Sequence, residues 1–247
     1  MLHVSHLHKS FGGHEAVKDI GFDVEPGEIV ACLGPNGAGK TTTLRMIAGT
    51  LEPDAGSVSC NGVDMWTHRT QAQAHMGYLP EGAPLYPDMT PLSYLDFLGQ
   101  ARGLRKNQRH DLIAIAVART ALEEVLQRPI ATLSKGFARR VALAGAILHD
   151  PKILILDEPT DGLDPNQKRA IHALMKQLSH GRVIVISTHR LDDVSAMCTR
   201  ALVIAKGKVV ADATPDALAK MTPSHSLDDA FAALTLPQAS DDKRAAP

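Results

Sequence analysis

Long apolar runs are missing from this 247-residue chain. No stretch approaches the ~20 consecutive apolar residues that a membrane-spanning helix needs, and no cationic segment followed by an apolar core opens the sequence. If the protein works at a membrane, a partner must provide the span. An excess of one charge is lacking too. With 26 Lys and Arg against 27 Asp and Glu the net charge is −1, so there is no bulk electrostatic attraction to nucleic acid or to an anionic membrane surface, and no nucleic-acid partner is expected. Cysteine is scarce: Cys32, Cys60 and Cys198 are too scattered for a zinc pattern. An odd count of three fits a reducing compartment better than a disulfide framework, which points to the cytoplasm. What is present is 44% apolar residues, ample for a buried core in one α/β domain or in a domain carrying an insert.

The stretch from Ile29 to Leu44 is the most informative. An apolar, strand-like run breaks into Gly34-Pro35-Asn36-Gly37-Ala38-Gly39-Lys40-Thr41-Thr42 and resumes as a helix-like segment. The pattern G-x-x-x-x-G-K-T is built to hold phosphate. Glycines at 34, 37 and 39 allow positive φ and close approach, so successive N–H groups can converge on an anion. The following helix adds the positive end of its dipole. Lys40 is placed to reach the β and γ phosphates, and the Thr41 hydroxyl to ligate a bridging Mg²⁺.

Ahead of this loop, Leu2 to His8 alternates as a half-exposed strand, and Gly12-Gly13 turns it toward a second strand over Val17 to Val24. His3, His6, His8 and His14 are read as solvent-facing histidines on an edge strand, with no carboxylate or cysteine completing a metal set. Phe11, an aromatic just before the phosphate loop, can stack on a base. Beyond the loop, Lys40 to Ala48 reads as helix closed by Gly49, Pro53 to Gly56 as a turn, Val58 to Val63 as a hairpin around Asn61-Gly62, and Met76 to Leu79 as a strand. A proline-rich connector from Pro80 to Pro91 follows. Leu112, Ile115, Ala118, Leu122 and Val125 then recur at helical spacing, which predicts a helical insertion over roughly 91–150. Residues 1–236 form one domain in this reading, and 237–247 is too poor in apolar residues to fold.

Two further apolar runs, Ile153 to Leu156 and Val183 to Ile186, read as parallel strands covered on both faces. One ends in Asp157-Glu158, the other in Ser187-Thr188-His189. In an open α/β sheet ligands bind beyond the carboxyl ends of the strands, so a phosphate loop, a carboxylate pair and a histidine are brought to one edge. Asp157 would orient Mg²⁺, Glu158 would act as base or orienting group for the attacking water, and His189 could hydrogen-bond the γ-phosphate.

With these motifs in order, the chain resembles the ATP-binding cassette (ABC) ATPases from Phe11 to about Ala211. Gly34 to Thr41 is similar to Walker A, Ile153 to Glu158 to Walker B, Gly162-Leu163-Asp164 to the D-loop, His189 to the switch histidine and Phe11 to the adenine-stacking aromatic. Leu133-Ser134-Lys135-Gly136-Phe137 resembles the family signature, with Lys135 and Phe137 departing from Leu-Ser-Gly-Gly-Gln. Glu81 stands where the family usually has the Q-loop glutamine. It can accept from a water on Mg²⁺ but cannot donate. These variants, with the Leu85 to Thr90 connector, look like the branch that pairs with ABC-2 type export permeases.

The resemblance implies an α/β fold. A P-loop core with a mostly parallel sheet would carry an N-terminal antiparallel β subdomain and an inserted helical subdomain. It also implies ATP and Mg²⁺ as cofactors, and a homodimer or a pairing with a homologous ATPase in which Ser134, Lys135, Gly136 and Phe137 meet the nucleotide of the opposite chain. Membrane association would arise only through a permease, on the cytoplasmic face, contacted through the surface near 81–100. The alternative is a soluble ABC-type ATPase that regulates or assembles a non-transport complex. A small-molecule P-loop kinase would not need Ser134 and Gly136.

Overall fold

The computed structural model describes residues 1–236; the expected unstructured tail, 237–247, lies outside the described residues. Two sheets organise the chain. The first begins with β1 (Leu2–Phe11) and β2 (His14–Val24), an antiparallel pair turned by Gly12 and Gly13 at positive φ. After β3 (Ile29–Leu33) and α1 (Lys40–Ile47), strands β4 (Ala55–Cys60) and β5 (Val63–Asp64) complete it in the order β2-β1-β4-β5. Asn61 and Gly62, both at positive φ, form the expected two-residue hairpin loop between β4 and β5. The strand before it starts at Ala55, inside what reads as a turn.

One expectation for this sheet is corrected. β1 lies between β2 and β4, so His3, His6 and His8 are not on an edge strand. Nor are carboxylates absent, because β2 brings Asp23 against His3 and places Asp19 Oδ1 2.6 Å from His6 Nδ1. Among the described residues, however, no group of three or more His, Cys, Asp or Glu could hold a metal ion by itself.

A short α2 (Arg69–Ala74), absent from the sequence reading, leads to β6 (Met76–Leu79). Helices α3 (Pro91–Ala101), α4 (Lys106–Thr120) and α5 (Lys135–Ile147) then precede β7 (Ile153–Asp157). The predicted face of α4 is wrong. Ile113, Ala116, Val117 and Thr120 point inward, whereas Ile115 is 46% exposed. Leu122 and Val125 are buried but lie past the end of the helix. The run Leu112 to Val117 is apolar at every position, so helical spacing alone supports two faces, and packing on α3 and α5 selects one.

The remaining elements are α6 (Pro165–Ser179), β8 (Val183–Thr188), α7 (Leu191–Met197), β9 (Arg200–Ala205), β10 (Lys208–Ala213), α8 (Pro215–Ala219) and α9 (Leu227–Thr235). The second sheet has the order β10-β9-β3-β8-β7-β6, parallel except for β10. Its strands alternate between two cores. Val30, Cys32, Ile155 and Val185 face the antiparallel sheet and α1, while Ala31, Leu33, Leu156 and Ile186 face the helices of the other layer. Burial on both faces explains the unbroken apolar runs, and each fully buried Ile or Leu contributes roughly 1.5–3 kcal/mol.

Candidate active site

β3, β8 and β7 are neighbours, and their carboxyl ends open on the same edge. At the first, the backbone needs glycine for two different reasons. Gly39 has φ 105°, and a Cβ there would lie 2.5 Å from the Ala16 carbonyl oxygen. Gly34 is not at positive φ as expected; a Cβ on it would clash with the Ile204 carbonyl oxygen. The loop is thus pressed against β2 and β9 while α1 begins at Lys40. The N-terminus of α1 has no side-chain cap and no acidic residue in its first turn, which leaves N–H groups and the positive end of the dipole for an anion.

The Lys40 ammonium is buried and donates to the carbonyls of Gly34 (2.8 Å) and Pro35 (3.1 Å). Desolvation draws its pKa below the ordinary lysine value, and the nearby Glu158 and Asp157 oppose that fall. Its cation is therefore held in a place where phosphate oxygens would restore the lost solvation.

At the end of β7, Asp157 is fully buried. Its Oδ1 accepts from Ser187 Oγ and from Thr41 Oγ1 at 3.3 Å, while Oδ2 has no partner. Glu158 shows the same asymmetry, with Oε1 3.0 Å from His189 Nδ1 and Oε2 buried without a partner. Orphaned buried carboxylate oxygens are costly in isolation, so each marks a position where a further donor or cation fits.

Asn36, Gly37, Lys40, Thr41 and Thr42 line one wall of a cleft of about 400 Å³, and Phe11, Glu81 and Glu158 line the others. Phe11 is 49% exposed, with Lys9 Nζ 5.8 Å from its ring centroid. Larger grooves lie beside α2 and α3 and between α3 and α4, about 660 and 760 Å³, but neither joins a phosphate loop to a carboxylate pair.

Ser134, Lys135, Gly136, Phe137 and Asp164 do not line this cleft. Ser134 caps α5, accepting from the Phe137 N–H at 3.3 Å. Gly136 is buried against the side chain of Gln167, and the Phe137 ring carries the Arg140 guanidinium 5.5 Å from its centroid. Asp164 caps α6, accepting from the N–H groups of Asn166 and Gln167 at 2.9 Å.

Three residues that sequence reasoning did not single out shape the site. Ser187 Oγ donates to Asp157 and accepts from the Glu158 N–H at 2.9 Å. Arg139, buried on α5, donates to the carbonyls of Asp157 (2.7 Å), Glu158 and Pro159 (3.3 Å). Asp193, buried on α7, accepts from Thr160 Oγ1 (2.6 Å) and Thr188 Oγ1 (3.1 Å) and lies 2.8 Å from His172 Nε2. It thereby ties the segment after Glu158 to the segment before His189. Parallel pairing of β7 with β8 puts Ser187 opposite Asp157, a register open to sequence reasoning. The two charged helix residues gave no such signal.

Residues 17–161 match the family model described as ABC transporter. An uncharacterized ABC transporter ATP-binding protein of Bacillus subtilis is 38% identical over 209 residues, spanning 85% of this chain and 69% of that protein. The Nod factor export ATP-binding protein I of Burkholderia lata is 37% identical over 213 residues, 86% of this chain and 70% of that protein. A solved ATP-binding subunit of an ABC transporter superposes with a TM-score of 0.85 at 31% identity, covering 95% of this chain and 99% of the other. With motif order, sheet topology and these likenesses in agreement, the chain belongs to the ABC transporter family, as an ATP-binding subunit with ATPase activity.

Proposed function

We propose that this subunit hydrolyses Mg²⁺-ATP in the cleft between the phosphate loop and the end of β7, and so powers a separate export permease. The observation that carries the reading is the convergence of Lys40, Thr41, Asp157 and Glu158 on one sheet edge, with Asp157 Oδ2 and Glu158 Oε2 both buried and unpartnered. Mg²⁺ fits the donors present. The Thr41 hydroxyl and the Asp157 carboxylate are hard oxygen ligands, and since no group of three acidic or His/Cys side chains among the described residues could hold a metal, phosphate oxygens would complete the set. Thr41 and Asp157 would hold the ion, and it would supply positive charge to neutralise the charge developing on the phosphates.

The chain's own residues do the rest. The loop from Gly34 to Gly39 and the N-terminus of α1 hold the phosphates by N–H groups. Lys40 exchanges its two carbonyl acceptors for phosphate oxygens, and Phe11 offers an exposed face to the adenine. Glu158 Oε2 orients the attacking water and accepts its proton, and His189 keeps the carboxylate turned into the cleft through Oε1. Glu81, at the rim, would reach the metal through water.

The signature residues 134–137 would meet ATP held by a second cassette, in a homodimer or with a homologue. No helix among the described residues is long and apolar enough to cross a membrane, so peripheral attachment on the cytoplasmic face would come through the permease. Tyr86 and Phe97, both exposed with centroids 5.8 Å apart, sit in the 81–100 surface assigned to that contact. Export rests on relatives such as the Nod factor export protein. Purified chain is expected to release phosphate from ATP only with Mg²⁺, and a multispanning membrane protein to copurify with it. An ATPase recovered from native membranes with no such partner overturns the transport reading.

A further inference from the structure

Glu158 has φ 49° and is followed by Pro159. Left-handed backbone is disfavoured for any residue with a Cβ, and a following proline biases the preceding residue toward extended conformations. The conformation therefore persists only if its surroundings impose it. Two side chains grip the two polar groups of this residue's backbone. Ser187 Oγ on β8 accepts from the Glu158 N–H at 2.9 Å, and Arg139 on α5 donates to the Glu158 carbonyl. Arg139 reaches the flanking carbonyls of Asp157 and Pro159 with the same guanidinium. It is 7% exposed and forms no ion pair with a carboxylate within 4.0 Å among the described residues. A desolvated guanidinium spent wholly on three consecutive carbonyls is a costly way to fill space, and its planar fork suits the fixing of a backbone path.

We propose that Arg139 is a positioning residue for hydrolysis: with Ser187 it holds Glu158 in the left-handed conformation that turns the carboxylate into the cleft. The inference rests on the reading of Glu158 as the group that orients water. Arg139 does not line the cleft and acts through the backbone of its neighbour. It also stands on α5, the helix that Ser134 caps, so the helix bearing the signature residues is bonded directly to the loop bearing Glu158.

The test compares Arg139→Met, Arg139→Lys and Glu158→Gln, singly and combined, by steady-state hydrolysis and by calorimetry with ATP. Arg139→Met is expected to lower kcat about tenfold or more while KM and ATP affinity stay within about twofold. Lysine, able to reach one carbonyl but not three, recovers part of the loss. The discriminating readout is non-additivity: in a Glu158→Gln background Arg139→Met takes nothing further from the residual turnover. Losses that multiply in the double variant, or an unchanged kcat in Arg139→Met, overturn the proposal. If melting shows Arg139→Met to be unfolded, Arg139→Lys carries the same comparison. Wild-type turnover in Glu158→Gln would instead remove the base itself, and is thereby distinguished from a failure of Arg139 alone.

Discussion

The carboxyl edge of the parallel sheet and the N-terminus of α5 both carry residues suited to phosphate, yet the chain finishes only one of them. At the sheet edge Lys40, Asp157 and Glu158 are buried or nearly so, and two carboxylate oxygens are left without partners. At α5 the Ser134 hydroxyl is already used as a helix cap, and Gly136 packs on Gln167 of its own chain. Neither lines the cleft. A buried group without a partner is costly to keep, so the sheet edge reads as a site waiting for a ligand within this chain. At the α5 terminus only Ser134 and Lys135 are exposed, and they gain a role only if something is brought to them. On the function proposed above, one chain would supply a phosphate-binding wall and a detached second surface, as a site shared between two cassettes requires.

The largest expected effect tests the finished side. Glu158→Gln keeps the shape of the side chain but removes the charge and the proton acceptor, so kcat should fall by about 10²–10⁴-fold with ATP affinity retained. Phosphate-release kinetics beside calorimetry will show it. Turnover near that of the wild type would mean that the orphaned Oε2 serves some other purpose.

A smaller loss, spread over binding and turnover, is expected for Lys40→Ala. Each charge-assisted hydrogen bond is worth roughly 1.5–3 kcal/mol, and the ammonium also ties the Gly34 and Pro35 carbonyls into the loop. Weakening of ATP binding by about 10–100-fold, read by calorimetry, follows from losing one such bond to phosphate. Unchanged affinity would show that the loop's N–H groups bind the phosphates alone.

The elements that carry the sheet-edge residues were legible because their physics is local. An apolar run buried on both faces, glycines before a helix, and a carboxylate pair at a strand end leave marks in consecutive residues, and β6, β7 and β8 appear where the pattern puts them. The α4 face was not legible, because the apolar run from Leu112 to Val117 can bury either side and only its packing decides. Arg139 and Asp193 were missed for a related reason. A charge on a helix ordinarily faces water, and nothing near Arg139 in sequence announces that the end of β7 will lie against it. The histidines of β1 were misplaced because strand order, which sets β1 inside its sheet and brings Asp19 and Asp23 alongside, is not written in the strand.

The unfinished side is best probed without disturbing the fold. Ser134→Asp keeps the helix cap, since aspartate accepts from the Phe137 N–H as serine does, and adds a negative charge where the opposite cassette would present its γ-phosphate. ATP binding to the monomer should be unchanged, while ATP-induced dimerisation weakens and turnover falls by about tenfold, the repulsion being worth on the order of 1 kcal/mol or more. Sedimentation with ATP reads the first, hydrolysis the second. A variant that dimerises as readily as wild type would separate Ser134 from any shared site.

The two ends of α5 offer a last contrast, with no expected effect on turnover. While Ser134 begins the helix in solvent, His149 follows its end half-buried, with Nε2 3.0 Å from the Met76 carbonyl oxygen on β6. A carbonyl can only accept, so Nε2 carries the proton, and Nδ1 is left as a buried acceptor without a partner. Protonating Nδ1 would create a buried donor with nothing to bond. Burial, reinforced by nearby Arg102, accordingly pushes the His149 pKa down from 6.5 to about 4. Because the folded value is depressed, the unfolded chain binds the proton more strongly. Stability from this group is complete above pH 6.5 and is lost as pH falls toward about 4. The full depression corresponds to roughly 3 kcal/mol. His149→Gln, which can still donate to Met76 and does not titrate, should flatten the fall in urea-unfolding free energy over that window while phosphate release at neutral pH stays as in wild type. An equally steep acid loss in the variant would place the sensitive group elsewhere and leave the anchor of α5 on β6 independent of pH.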